Sequence, residues 1–267
     1  MIGVAGCGRM GAPMLAALRA AGLDAGGFDI RPPSEFDALE SVMTCEVAEF
    51  APRITTLITV VRDITQTDEV LFDAQGFASS PNLTRILICS TLSPRYVRSL
   101  RNHVPGHITL IDAPMSGAQI AAQEARLSFM LGGDDADLDE AQPILSAMGE
   151  HFHRMGPFGS GMQSKVLNNL LAAGSTAMTR LVLDWGDQTG LDETALLNLI
   201  STSSGQNWLA SGFNDIEFAR DGYADDNTIG ILVKDVGSAL DSAPIGADAD
   251  LPNSVRKMIR SLQPRTR

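Results

Sequence analysis

Hydrophobic positions in the first half of the chain gather into short runs that close on a polar or small residue: 1–5, 24–30, 55–61, 85–90 and 107–112. Runs of this length, rich in Val, Ile, Leu and Thr, read as strands buried on both faces. Between them, residues 10–21, 64–72 and 94–103 space their apolar positions by three and four, the period of a helix. Strand, helix and strand in repetition predict a parallel sheet with helices on both faces. Residues 127–131 (LSFML), closed by Gly132-Gly133, predict another strand; a helix over 137–148 and a short strand around Phe152 follow.

The pattern changes after Gly156-Pro157. From Met162 to about Gly190 there is no proline, and apolar residues occupy every face. Such a helix would run to ~40 Å and, being apolar all round, must be covered by protein on most sides. The spacing predicts further helices over 193–201, 208–219, 229–243 and 254–262, with no strand pattern between them. The fold class is therefore α/β, with an α/β domain over 1–158 and an all-helical domain over 159–267.

Composition narrows the function classes. With 267 residues, 44% hydrophobic and 19% charged, the chain can bury a sizeable core as one large or two ordinary domains. Its 20 basic and 32 acidic residues leave a net charge of -12, which excludes binding nucleic acid or an anionic membrane through bulk charge. The opening MIGVAGCG has neither a basic segment nor a long apolar stretch, so a soluble cytoplasmic protein is expected. Cys7, Cys45 and Cys89 match neither a zinc nor a disulfide spacing. His151 and His153 share one face of the expected strand and read as ordinary strand histidines; no metal is implied.

Two motifs carry chemistry. Gly6-Cys7-Gly8-Arg9-Met10-Gly11 matches GxGxxG between a predicted strand and a predicted helix, the context in which it binds a dinucleotide. Gly6 serves the tight turn, Gly8 the close approach of a pyrophosphate, and Gly11 the packing of helix on strand, in a Rossmann-type domain. Asp29, 18 residues past Gly11, ends the second strand where a carboxylate would hold the ribose hydroxyls. That favours NAD, although Arg31 could pair with a 2′-phosphate, so NADP stays open. The second motif is GSGMQSKVLNNLL (159–171), which places Lys165 one helical turn from Asn168 and Asn169.

Five segments together resemble the β-hydroxyacid dehydrogenase family: GVAGCGRMGAPM (3–14), STLSPRYV (90–97), DAPMSGAQIAAQEARLSFMLGG (112–133), GSGMQSKVLNNLL (159–171) and ILVKDVGSAL (231–240). The resemblance implies a C-terminal domain of the 6-phosphogluconate dehydrogenase type and an active site in the cleft between domains. It implies Lys165 as the acid/base, with Ser116, Gly117 and Asn169 on a small carboxylate substrate. Cofactor contacts would come from Val61, Arg62, Thr91 and Lys234, beside the glycine loop. It also implies a homodimer or homotetramer built on the long helix. Arg62, Ala118, Gln119, Ala121 and Arg126 depart from common family residues, and most members continue with one more helix past the last segment. SSGQNW (203–208) is closer to the branch acting on polar sugar acids.

The expected activity is hydride transfer between NAD(P) and a small 3-hydroxy acid or its semialdehyde. A lysine suits the proton step when burial or a nearby cation favours its neutral form. Two alternatives remain: a related carbonyl or imine reductase, and a non-catalytic NAD-sensing protein of the same fold. Read singly, Ser116 suits a turn, Thr91 a helix cap before Pro94, and Lys234-Asp235 a surface pair.

Overall fold

The computed structural model describes residues 1–266. The chain divides into two compact units, Met1–Lys165 and the residues from Val166 onward.

In the first unit the short apolar runs form β1 (Ile2–Ala5), β2 (Ala25–Phe28), β3 (Met43–Thr44), β4 (Thr56–Thr59), β5 (Arg85–Ile88) and β6 (Thr109–Asp112). They lie parallel in the order β3-β2-β1-β4-β5-β6, the Rossmann arrangement. The crossovers carry α1 (Gly11–Ala20), α2 (Val47–Phe50), α3 (Ile64–Leu71) and α4 (Pro94–Ser99). Both faces of the sheet are covered, which is why the strands are apolar throughout. Val4, Ile58, Leu87 and Ile111 enter one core, while Ala5, Leu57, Ile86 and Leu110 enter the other. Each fully buried Leu or Ile contributes about 1.5–3 kcal/mol.

Beyond β6 the sheet departs from the all-parallel expectation. After β7 (Met115–Ser116) and α5 (Ala118–Gln123), β8 (Leu127–Gly132) runs antiparallel to both β6 and β7. The connection 113–126 contains β7, which itself pairs antiparallel with β8, so the chain turns back along the strand it has just made instead of crossing over the sheet. α6 (Asp135–Ser146) then leads to β9 (Gly149–Gly156), longer than expected and parallel to β8. His151 and His153 are exposed on β9, and no group of three metal-ligating side chains exists among the described residues.

The second unit contains most of α7 (Ser160–Thr189), followed by α8 (Glu193–Ser201), α9 (Trp208–Ser211), α10 (Thr228–Asp241) and α11 (Asp250–Arg260). Ala173 and Ala177 of α7 pack with Val233 and Val236 of α10 and Ile259 of α11. Leu183 packs with Leu197 of α8 and Leu209 of α9. The helix expected over 208–219 stops at Ser211, and Phe213 and Phe218 are buried from turns instead. The covering expected around α7 is also incomplete within one chain. Leu167, Leu171, Met178 and Trp185 are exposed, and steps of four, seven and seven put them on one face. No helix among the described residues is long and apolar enough to cross a membrane.

Candidate active site

The glycine loop joins β1 to α1 as its pattern requires. A Cβ on Gly11 would fall 2.0 Å from the Gly6 carbonyl oxygen, so only glycine lets α1 start this close to the turn. Met10 stands at the N-cap of α1 and Arg9 is exposed. Gly8 differs: it is exposed, and a Cβ there would meet no atom within 4 Å. The protein's own packing does not require glycine at 8, whereas a pyrophosphate lying on the loop does. The residues present therefore fit a dinucleotide.

Asp29 follows β2, buried beneath the loop. Its Oδ2 accepts from Cys7 N at 2.9 Å and Arg31 Nη2 at 3.1 Å; its Oδ1 accepts from Arg31 N at 3.1 Å and Arg31 Nε at 3.0 Å. Burial alone would raise the carboxyl, but the Arg31 bonds and the Cys7 amide outweigh it and hold Asp29 below the usual carboxylate range. Burial, with Asp29 adding to it, pushes the Cys7 thiol up to about 12, so this cysteine is unreactive.

At the ends of β4 and β5, Val61 N donates to Ser90 Oγ at 2.9 Å, pinning two adjacent strand ends. Arg62 is exposed just beyond, its amide on Gln66 Oε1 at 3.0 Å. The cap of α4 is Ser93, which accepts from Arg95 N and Tyr96 N. Thr91, two residues earlier, does not cap that helix.

Lys165 is 7% exposed, and its Nζ donates to Ser116 Oγ at 3.0 Å. The sequence reading missed what sets this geometry, Asp112. Fully buried at the end of β6, it accepts from Gly159 N at 2.7 Å and Met162 N at 2.5 Å, capping α7 from across the fold. Burial pushes its carboxyl above the usual range, against these amide bonds and the nearby Arg98. One segment, 112–116, thus caps α7 and supplies the hydroxyl that meets the lysine on its second turn. Only the run of polar and small residues in DAPMSG hinted at this. Gly117 follows with φ 133, and Ala118 is left-handed at φ 55.

In the second unit, Asn169 Nδ2 donates to Asp235 Oδ2 at 2.6 Å. A carboxylate only accepts, so the amide must turn its nitrogen to Asp235; Oδ1 accepts from Asn168 Nδ2 at 3.4 Å, and one N–H is left for other partners. Lys234 Nζ lies 2.8 Å from Asp235 Oδ1. Asp235 is 1% exposed, so the pair is not a solvated surface pair.

The family profile for the NAD binding domain of 6-phosphogluconate dehydrogenase matches residues 1–156. A second, for the NAD-binding region of NADP-dependent 3-hydroxyisobutyrate dehydrogenase, matches residues 159–266. The chain belongs to the β-hydroxyacid dehydrogenase family. Mitochondrial 3-hydroxyisobutyrate dehydrogenase of Bos taurus is 33% identical, covering 91% of this chain and 75% of its own length. L-threonate dehydrogenase of Cupriavidus necator is 30% identical, covering 91% and 83%. The solved 3-hydroxyisobutyrate dehydrogenase of Salmonella typhimurium shares the fold, with a TM-score of 0.82 at 22% identity over 97% of this chain and 92% of that one. As a β-hydroxyacid dehydrogenase, the protein is an NAD(P)-dependent oxidoreductase acting on small hydroxy acids.

Two of its departures from common family residues have local explanations. Arg126 pairs with Glu124 at the surface, with Nε 2.8 Å from Oε2. Ala121 is buried with its Cβ where a side chain on residue 117 would have to go, so an alanine at 121 depends on the glycine at 117.

Proposed function

We propose that the protein interconverts a small 3-hydroxy acid and its semialdehyde, with Lys165 as the general acid/base. The observation that supports this most directly is the buried Lys165 amine held against the Ser116 hydroxyl. A buried amine held at hydrogen-bond distance from a hydroxyl is well placed to exchange a proton with an alcohol bound beside it. A nicotinamide held at the glycine loop would supply the hydride acceptor for oxidation and, reduced, the donor for reduction. Neutral Lys165 takes the hydroxyl proton, and reduction returns it.

Ser116 and the Gly117 amide hold the substrate beside the lysine. Asn169 orients it through the amide N–H that Asp235 leaves available. Val61, Arg62, Thr91 and Lys234 serve the cofactor together with Gly6, Gly8, Arg9, Met10, Gly11, Asp29 and Arg31. A relative named for the polyhydroxy acid L-threonate and the two amides of the 203–208 segment favour a polyhydroxy acid over 3-hydroxyisobutyrate.

Lys165→Ala tests the proposal. It should lower kcat by about 10²–10⁴, the usual contribution of general acid–base catalysis, while NAD(P)H binding is retained. Near wild-type turnover would remove Lys165 from the chemistry. Assaying 3-hydroxyisobutyrate, L-threonate and glycerate with both nicotinamides then distinguishes the substrate classes.

A further inference from the structure

Asp29 should reject a 2′-phosphate and accept a free ribose, yet its acceptor positions are taken. A carboxylate offers about four lone-pair sites. Four donors reach Asp29: the Cys7 amide, the Arg31 amide, Arg31 Nε and Arg31 Nη2. A ribose hydroxyl can gain a bond there only by displacing one of them.

Arg31 is anchored on more than the carboxylate. Nη2 also donates to the Cys7 carbonyl at 3.2 Å, within the glycine loop. The guanidinium carbon lies 4.6 Å from the centre of the Phe36 ring. Nε and Nη2 therefore spend three of the five N–H groups on the protein. The two on Nη1 meet no acceptor among the described residues, and the side chain is 44% exposed.

We propose that Arg31, fixed on Asp29, makes the ribose end of the site a receptor for a 2′-phosphorylated dinucleotide, so that the protein accepts NADP(H) despite the carboxylate closing β2. This rests on the reading that the Gly6–Gly11 loop holds the dinucleotide. The pair cancels most of the charge with which Asp29 would repel the phosphate. Nη1 supplies charge-assisted donors at the same point. Binding NAD(H) instead costs the bonds that Arg31 must release before the hydroxyls can reach Asp29. Glu35, close enough to act on Arg31 electrostatically, opposes the phosphate but is exposed and screened, whereas Arg31 would act at contact.

Calorimetric titration with NADPH, NADH and 2′,5′-ADP tests this on wild type, Arg31→Ala and Arg31→Lys. Wild type should bind NADPH at least as tightly as NADH. Arg31→Ala should weaken NADPH and 2′,5′-ADP by about tenfold or more, the worth of a charge-assisted hydrogen bond, and tighten NADH as Asp29 is released. Arg31→Lys, keeping the charge without the fork, should fall between the two. The proposal is overturned if Arg31→Ala changes NADPH and NADH by the same factor, or if wild type prefers NADH by more than about tenfold. Failure of wild type to bind any of the three would overturn the cofactor reading beneath it as well.

Discussion

Single residues decide whether the lysine meets its serine. Asp112 caps α7 with both carboxylate oxygens, so Asp112→Asn keeps the shape but turns an N–H toward an amide N–H. Losing one buried hydrogen bond in this way costs about 1–3 kcal/mol. The variant should melt lower and lose kcat, while calorimetric cofactor affinity stays within about twofold of wild type. An unchanged kcat would separate the cap from the placement of Lys165. Ala118 bears strain at φ 55, a conformation costing an L-residue roughly 1–2 kcal/mol. Ala118→Gly should therefore stabilise the fold, although glycine's larger unfolded-state entropy offsets part of the gain; a raised denaturant midpoint would show it. The glycine loop was legible from residues alone because its requirement is local, a Gly11 Cβ meeting the Gly6 carbonyl. The Asp112 cap was not, because its donors lie 47 and 50 residues away.

At the scale of elements, the second unit ties its last residues back onto α7 and α8. Arg265 pairs with Asp184, with Asp187 at 2.8 Å and with Glu193 at 2.7 Å, while Arg220 reaches Glu193 at 2.5 Å. Arg180, 1% exposed on α7, donates to the Ala219, Asp221 and Gln263 carbonyls. Burial would raise Glu193, but the two guanidinium partners outweigh it and hold its carboxyl below 4.5. A lowered folded value means the stabilisation is complete above pH 4.5 and lost as pH falls through the folded value. Thermal melts against pH should show a gentler acid slope for Glu193→Gln than for wild type. Helix existence in this unit was readable from apolar spacing, but α9 was overextended. Leu209, Phe213 and Ile216 keep steps of four and three although the chain from Gly212 on is turns, and periodicity cannot tell those situations apart.

For the whole molecule, Leu167, Leu171, Met178 and Trp185 form an exposed apolar stripe along α7. A large exposed apolar patch marks an interaction site, and a two-fold axis would lay this face of α7 against its own copy. A homo-oligomer seated on α7 is the proposed assembly. Leu171→Glu with Trp185→Glu should shift light-scattering mass toward the monomer; an unchanged mass would place any interface elsewhere. By itself the sequence determined the α/β and all-helical halves, the glycine loop and the place of Lys165 on the long helix. Those features rest on local spacing, turn chemistry and the burial of apolar runs. Only the tertiary structure decided that β8 turns antiparallel, that Asp112 and Ser116 set the lysine, and that Asp235 orients Asn169. It also decided that Arg31 occupies the carboxylate meant for ribose. Each of these depends on which polar atoms meet after the chain has folded, and hydrogen-bond partners distant in sequence leave no period to read.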